Sequence, residues 1–275
     1  MGEIGLALGG GSLRGAAHIG VLKEITARGI DVSHLAGTSA GAIVAGLYAC
    51  GVAPQKMEAI FCDLSLSKMW DWKFGKQGLT GRRIYEKLLH LTDGRHFSDL
   101  SIPLAVVCVD LVSGELVVVR SGEIAEALRA SIAIPGVLAP VERDDQLLVD
   151  GYVLNNNPAD IVKKMGASYV VAVEVSRLPE QRSRHVFSHL SRYISIASRH
   201  MTAQQLRENA DLIIDVDLRH VGRFDFSDLA VTIALGEKEA QRALAKYPPV
   251  RKTVDTETDE PDPAQLTPLR LRHAE

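Results

Sequence analysis

Residues 34–51 read HLAGTSAGAIVAGLYACG, and this stretch decides how the rest of the chain is to be understood. At its centre, Gly37-Thr38-Ser39-Ala40-Gly41 forms a G-x-S-x-G pentapeptide. A short apolar segment, Leu35-Ala36, precedes it, and a run of small and apolar residues with helical character follows. Strand, tight turn and helix is the setting in which this pentapeptide forms a nucleophile elbow. A serine on such a turn needs neighbours without bulk, so Gly37 and Gly41 would let strand and helix approach closely. A helix starting at Ser39 would aim its dipole and unpaired N–H groups at negative charge developing there. A glycine-bounded turn into a core helix would carry the same residues, so the pentapeptide alone leaves both readings open.

Upstream, Ile4–Leu8 is a short apolar strand that feeds Gly9-Gly10-Gly11-Ser12-Leu13-Arg14-Gly15. A helix is expected over Ala16–Arg28, with Ile19, Leu22 and Ile25 near one face and Gly29 as its stop. Strand, glycines and helix also describe a dinucleotide site, and Asp31 is spaced to reach a ribose. The G-x-G-x-x-G spacing is not met, because Arg14 takes the sixth position from Gly9 and Ser12 the third from Gly10. Asp31 also precedes the second strand instead of ending it. The alternative is an oxyanion loop whose backbone N–H groups face a tetrahedral intermediate. With a serine elbow one βα unit later, that reading is favoured over a nucleotide-binding module.

The 275 residues suffice for one sizeable core, and 46% apolar with 24% charged residues is ordinary for a globular domain. A net charge of −3 gives no sign of nucleic-acid binding. Cys50, Cys62 and Cys108 are odd in number, widely spaced and in apolar surroundings, which fits buried, reduced thiols of a cytoplasmic protein. No signal peptide is read at the N-terminus, and Leu6 spoils a myristoylation pattern at Gly2. The longest apolar run, Ala40–Ala53, is too short and too rich in Gly and Ala to span a bilayer.

Further along, Pro54–Leu64 is expected to be a helix, and Ser65–Thr80 an irregular stretch holding Trp70 and Trp72. That stretch reads as a loop over the core or as an aromatic rim for acyl chains or a membrane. A helix follows at Gly81–Leu91, a strand pair at Leu104–Asp110 and Glu115–Arg120, and a helix at Glu123–Ala130 ended by Ile134-Pro135-Gly136. Gln146–Val149 is a strand ending in Asp150-Gly151-Tyr152, where Gly151 is expected to permit an unusual backbone angle that aims Asp150. Asn155-Asn156-Asn157-Pro158 turns into another helix, and Tyr169–Glu174 is a buried-type strand. Ser188–Asn209 is a long helix with Leu190, Ile194, Ala197, Met201 and Leu206 on its apolar side and Arg192, Arg199 and Arg207 on its polar side. It is a candidate to dock on a partner or lie on a bilayer. Leu212–Val216 and Leu229–Tyr247 complete the core as strand and helix, and no repeats are visible. Strands alternating with helices argue for an α/β sandwich. From Pro248 the charges, prolines and threonines read as a disordered tail.

A serine hydroxyl needs a base. Nine histidines keep a triad in view. His18 reads as a partly exposed structural residue. His185 and His189 lie four apart without a third ligand, which makes a metal there improbable. A Ser–Asp dyad is the other solution, with Asp150 tuned by partial burial. The spacing leaves dyad and triad both open. Asp110 reads as a turn residue.

Taken together, Gly9-Gly10-Gly11-Ser12-Leu13-Arg14-Gly15, Gly37-Thr38-Ser39-Ala40-Gly41 and Asp150-Gly151 resemble the patatin-like phospholipase family. The resemblance is nearest to its bacterial branch, which is also similar to the catalytic domain of neuropathy target esterase. It extends to Ala130-Ser131-Ile132-Ala133-Ile134-Pro135-Gly136 and to the run Tyr152–Pro158. It implies a three-layer α/β/α sandwich with a mainly parallel sheet, residues 1–247 forming the hydrolase domain and 248–275 the tail. It implies Ser39 as nucleophile, Asp150 as base, and an oxyanion hole at Gly10, Gly11 and Ser12. Gly9, Arg14, Gly15, Gly37, Gly41 and Gly151 support these motifs. The implied activity is hydrolysis of acyl esters of lipids through an acyl-enzyme, without metal or cofactor, in the cytoplasm or at the periphery of the inner membrane. A catalytically inert regulatory scaffold would share the fold. Two residues depart from the family pattern. Ser12 stands where Gly is frequent, and Tyr152, where Gly or Ala is commoner, is expected to narrow an acyl pocket. Head group, acyl length and oligomeric state are open.

Overall fold

The computed structural model describes residues 4–63, 74–75, 78–178, 186–222 and 226–246. Its elements begin with β1 (Ile4–Leu8), α1 (Ala17–Ala27), β2 (Val32–Thr38), α2 (Ala40–Ala49), α3 (Pro54–Cys62), β3 (Phe74–Gly75), β4 (Gly78–Leu79) and α4 (Arg82–Leu91). They continue with β5 (Leu104–Asp110), β6 (Leu116–Val119), α5 (Ile124–Ser131), β7 (Val141–Arg143), β8 (Gln146–Asp150), α6 (Ala159–Lys164), β9 (Tyr169–Glu174), α7 (Val186–Asn209), β10 (Leu212–Asp215) and α8 (Leu229–Ala243). The tryptophan-bearing stretch, His185 and the tail from Pro248 lie outside the described residues.

The central sheet has the order β10-β9-β1-β2-β5-β8-β7, with β6 also paired to β5. It is parallel from β10 through β5 and antiparallel where β6, β7 and β8 join. Its inner strands are apolar along nearly their whole length because both faces are covered. The two faces differ in side-chain size. Leu6, Leu8, Leu35, Val106, Val171 and Val173 point into the larger core under α1, α2, α3, α5 and α8. The alternate positions Ala7, Ala36, Ala105 and Ala172 meet α6 and α7 in a smaller one. The result is the expected three-layer α/β/α sandwich with a mainly parallel sheet.

Register places the site. Leu8 pairs with Gly37 of β2 and with Val173 of β9, so the chain leaves β1 and β2 side by side. β8 runs antiparallel to β5 and stops with Asp150 opposite Cys108, next to the Val107 that pairs with Thr38. Three remote segments therefore end at one level of the sheet.

The structure corrects several expectations. On α7, Leu206 does not share the face of Leu190, Ile194 and Met201 with which it was grouped: those three are exposed, whereas Leu206 is buried with Ser195, Ser198 and Thr202. The helix packs on α6 and on the turn Gly151–Val153, where its small hydroxyl residues bond to backbone: Ser198 Oγ donates to the Tyr152 carbonyl at 2.6 Å and Thr202 Oγ1 to the Ser198 carbonyl at 2.9 Å. Cys62, at the end of α3, is exposed, while Cys50 and Cys108 are buried as expected. The short strands β3, β4 and β7 were not readable from the pattern. Asp110 has the turn role expected of it, accepting from the Val112, Ser113 and Leu147 amides and the Ser113 hydroxyl, bonds that hold its carboxyl down near about 2. Among the described residues no helix is long and apolar enough to cross a membrane.

Helices α1 and α8 cross where glycine faces backbone. A Cβ on Gly20 would lie 1.9 Å from the Ile233 carbonyl oxygen, and one on Gly236 2.0 Å from that of Ala17. Gly236→Ala is expected to force the helices apart and to lower stability by about 3 kcal/mol in urea unfolding, despite alanine's better helix propensity.

Candidate active site

Ser39 closes β2 and opens α2 with φ 55° and ψ −125°, a conformation that L residues rarely adopt. Packing enforces it. A Cβ on Gly41 would lie 2.1 Å from the Leu8 carbonyl oxygen, and one on Gly37 2.5 Å from Ala42 Cα. The elbow glycines are thus needed for contact with β1 and with the first turn of α2. Gly15 serves the same purpose from the other side, since its Cβ would meet that of Ala40 at 2.5 Å.

The Ser39 hydroxyl donates to Asp150 Oδ2 at 2.7 Å. The other carboxylate oxygen, Oδ1, accepts from the Tyr152 amide at 2.9 Å. Burial pushes the Asp150 carboxyl up to about 6, against the two hydrogen bonds, which favour its ionised form. Gly151 does not adopt the left-handed angle expected of it. It is required because a Cβ there would lie 2.7 Å from the Val107 carbonyl oxygen.

The glycine loop runs beside this pair. The Gly9 amide donates to the Val173 carbonyl at 3.2 Å, and the Gly10 amide is shared between the Asn156 carbonyl at 3.1 Å and Asn156 Oδ1 at 3.0 Å. Of the amides expected to face an oxyanion, that of Gly10 is therefore already engaged. Those of Gly11 and Ser12 have no acceptor among the described residues. Gly10 instead lets the loop approach the serine, since a Cβ there would lie 3.0 Å from Ser39 Cβ and 3.2 Å from the Tyr152 ring. Ser12 has φ 55°, the left-handed region that explains why glycine is frequent at this position. Arg14 is fully buried and ties the loop down, with Nε and Nη2 donating to the Val221 carbonyl at 2.9 and 2.6 Å and Nη1 to that of Arg177 at 2.6 Å.

His18 is fully buried, not partly exposed. Its Nε2 donates to the Gly9 carbonyl at 2.7 Å, and burial depresses its pKa to about 4. It is a neutral strut for the loop and is not bonded to Ser39. Its neighbours Ala16, Ala17, Ile19 and Gly20 are the signal of burial that the sequence did contain. Asp31 is exposed at the start of the seven-residue β2, roughly 20 Å along the strand from the glycine loop, and cannot serve a ligand there.

Two supporting elements lie in runs quoted for the resemblance, where their residues were given no role. The Ser131 hydroxyl accepts from the Ser39 amide at 2.8 Å and donates to the Val107 carbonyl at 2.7 Å. Two residues on, the Ala133 carbonyl accepts from the Asp150 amide at 3.1 Å. The three asparagines before Pro158 are all buried. The Asn155 carbonyl accepts from Thr38 Oγ1, Asn156 holds Gly10, and Asn157 Nδ2 donates to the Val173 carbonyl. Consecutive amides in an otherwise apolar region were the available clue, because buried polar groups persist only when bonded.

A cavity of about 890 Å³ opens at Ser39 and Ser12 and runs between α2, α3 and α4. Ile43, Leu47, Ile60, Leu88, Ile132 and Leu138 make its walls mainly aliphatic. Its size lies within the range of small-molecule sites. Tyr152 is not part of this wall. Its ring packs on Gly10, so it does not narrow the cavity as expected.

A parallel α/β/α sandwich with a serine at a strand-to-helix elbow defines a broad class of proteins, and within it the chain belongs to the patatin-like phospholipase family. The family model for patatin-like phospholipase matches residues 6–163. A patatin-like phospholipase domain-containing protein of Caenorhabditis elegans is 35% identical over 187 residues, which cover 64% of this chain and 14% of that protein. An uncharacterised NTE family protein of Mycobacterium tuberculosis is 34% identical over 177 residues, covering 63% of this chain and 49% of the relative. The chain thus spans about half, or less, of the length of these relatives. The crystal structure of VipD from Legionella pneumophila has the same fold, with a TM-score of 0.60 at 15% identity over 89% of this chain and 67% of that one.

Ser131→Ala would leave the Ser39 amide and the Val107 carbonyl without their buried partner. The expected loss is about 1–3 kcal/mol in urea unfolding. The still-folded variant should also react more slowly with a fluorophosphonate at Ser39.

Proposed function

We propose that residues 1–247 form a serine hydrolase that cleaves acyl ester bonds of lipids through an acyl-enzyme, with Ser39 as nucleophile and Asp150 as its base. The observation that carries this reading is the 2.7 Å hydrogen bond from Ser39 to Asp150. Ser39 also lines a mainly aliphatic cavity. Membership of the patatin-like phospholipase family supports a lipid as substrate.

In the proposed cycle the ionised Asp150 accepts the Ser39 proton while Oγ attacks the ester carbonyl carbon. The resulting oxyanion is held by the Gly11 and Ser12 amides, and the positive end of α2 lies beside it. Gly10 contributes by close approach, its own amide being held by Asn156. As the tetrahedral intermediate collapses, the ester C–O bond breaks and the leaving alcohol takes the proton from Asp150. Water then attacks the acyl-enzyme, giving its proton to Asp150, and the carboxylic acid departs as the proton returns to Ser39. The acyl chain lies along the aliphatic cavity. No step requires a metal or cofactor.

The base must be ionised to act. As pH falls through about 6, Asp150 becomes protonated and can no longer take the Ser39 proton. The value of kcat/KM for a soluble p-nitrophenyl ester is therefore expected to rise with pH through that region and level off above it. A profile flat from pH 5 to 8 would exclude Asp150 as the base.

Ser39→Ala and Asp150→Asn should each lower turnover by roughly three orders of magnitude in a folded protein. A fluorophosphonate should label Ser39 in the unsubstituted chain. Undiminished hydrolysis by either variant would overturn the proposal.

A further inference from the structure

Helix α7 turns its apolar side outward. Its inner line is Ser195, Ser198, Thr202 and Leu206, while Leu190 is 56% and Tyr193 72% exposed, and Ile194, Ile196 and Met201 are exposed as well. At 3.6 residues per turn, Leu190, Ile194, Ala197 and Met201 fall on one narrow line, with Tyr193 at its edge. The charges along the stripe are of one sign. From residue 186 to residue 207 there is no Asp or Glu, while His189, Arg192, Arg199, His200 and Arg207 lie in the same span. Arg192, Arg199, His200 and Arg207 are exposed. The first acid, Glu208, follows the stripe and accepts from Gln204.

We infer that α7 is an interfacial helix that lays its Leu190–Met201 stripe into the surface of an anionic phospholipid bilayer. A convex, straight line of large apolar side chains fits a fluid acyl boundary, and His189, His200 and Arg207, which border the stripe beyond Tyr193, face the phosphates. The absence of acidic residues along the stripe matches a negatively charged lipid surface. The helix is also joined to the site: Ser198 Oγ donates to the Tyr152 carbonyl, and the Tyr152 amide donates to Asp150. The surface that docks is thus one hydrogen-bonded residue from the carboxylate. This inference deepens the proposed lipid hydrolase and rests on that reading for its substrate, but binding is measured without turnover.

The test is flotation of the full chain carrying Ser39→Ala with vesicles of equal parts phosphatidylcholine and phosphatidylglycerol, against vesicles of phosphatidylcholine alone. Binding to the anionic vesicles, weakened by high salt, is expected. The pair Leu190→Ser/Tyr193→Ser, and separately Ile194→Asp, should reduce vesicle partitioning by about tenfold or more. Both alter exposed positions, and their folding is checked by circular dichroism. With Ser39 restored, Ile194→Asp should hydrolyse a soluble ester at the unsubstituted rate. Equal flotation of the variants, equal binding to neutral vesicles, or a dimer in solution that Ile194→Asp dissociates would each overturn the inference, the last by assigning the stripe to a second copy of the chain. Absent flotation with full ester turnover removes the membrane surface and leaves the hydrolase standing. Flotation with no ester turnover by the unsubstituted chain does the reverse.

Discussion

The carboxylate of Asp150 sits inside the protein with two hydrogen bonds to set against the loss of water. A charge in that position is tolerated only while both donors stay in place. Much of the surrounding structure keeps them there. Ser131 fixes the amide of Ser39, and Ala133 fixes the amide of Asp150. One short segment at the end of α5 thus templates both members of the pair. The Ser131 hydroxyl is anchored in turn on Val107 of β5, the strand that lies between β2 and β8.

The glycine loop is held by the same logic from a different side. Its carbonyl at Gly9 is fixed by His18 from α1, its amide at Gly10 by Asn156, and its far end by Arg14. Two of these groups, His18 and Asn156, are neutral, and the Arg14 guanidinium directs its donors to the Val221 and Arg177 carbonyls. Their chemistry is that of backbone replacement, in which a side chain takes the part a neighbouring strand would play in a sheet. The loop is therefore rigid without being regular, as a preorganised donor pair requires.

The fold was legible in the sequence where a pattern belongs to one element. Ile4–Leu8 and Leu104–Asp110 are continuous apolar runs and were read with their observed bounds, and Gly29 ended α1 as its position foretold. That Ser39 and Asp150 would meet was legible because each lies in a motif with distinctive neighbours. What escaped was relational. Whether Gly151 supplies an angle or a clearance depends on Val107, and whether the Gly10 amide is free depends on Asn156. His18 was misjudged because its small and apolar neighbours Ala16, Ala17, Ile19 and Gly20, which mark a covered stretch of helix, were given less weight than its polar ring. On α7 Leu190, Ile194, Ala197 and Met201 were correctly grouped on one side, but Leu206, read with them, lies on the buried line, and hydrophobic periodicity does not say which face a neighbour will cover. The covering neighbours are α6 and the turn Gly151–Val153, which take the side of Ser195, Ser198 and Thr202.

The anchoring of the first loop by late parts of the chain has a consequence during synthesis. Arg14 binds the Val221 carbonyl, and α1, which carries His18, is clasped by α8 through Gly20 and Gly236. A ribosome-bound chain that has emerged only as far as β8 already holds Ser39 and Asp150, yet the clamps on its glycine loop are still missing. The loop beside Ser39 is thus the last part of the site to be fastened, after both members of the Ser39–Asp150 pair have left the ribosome.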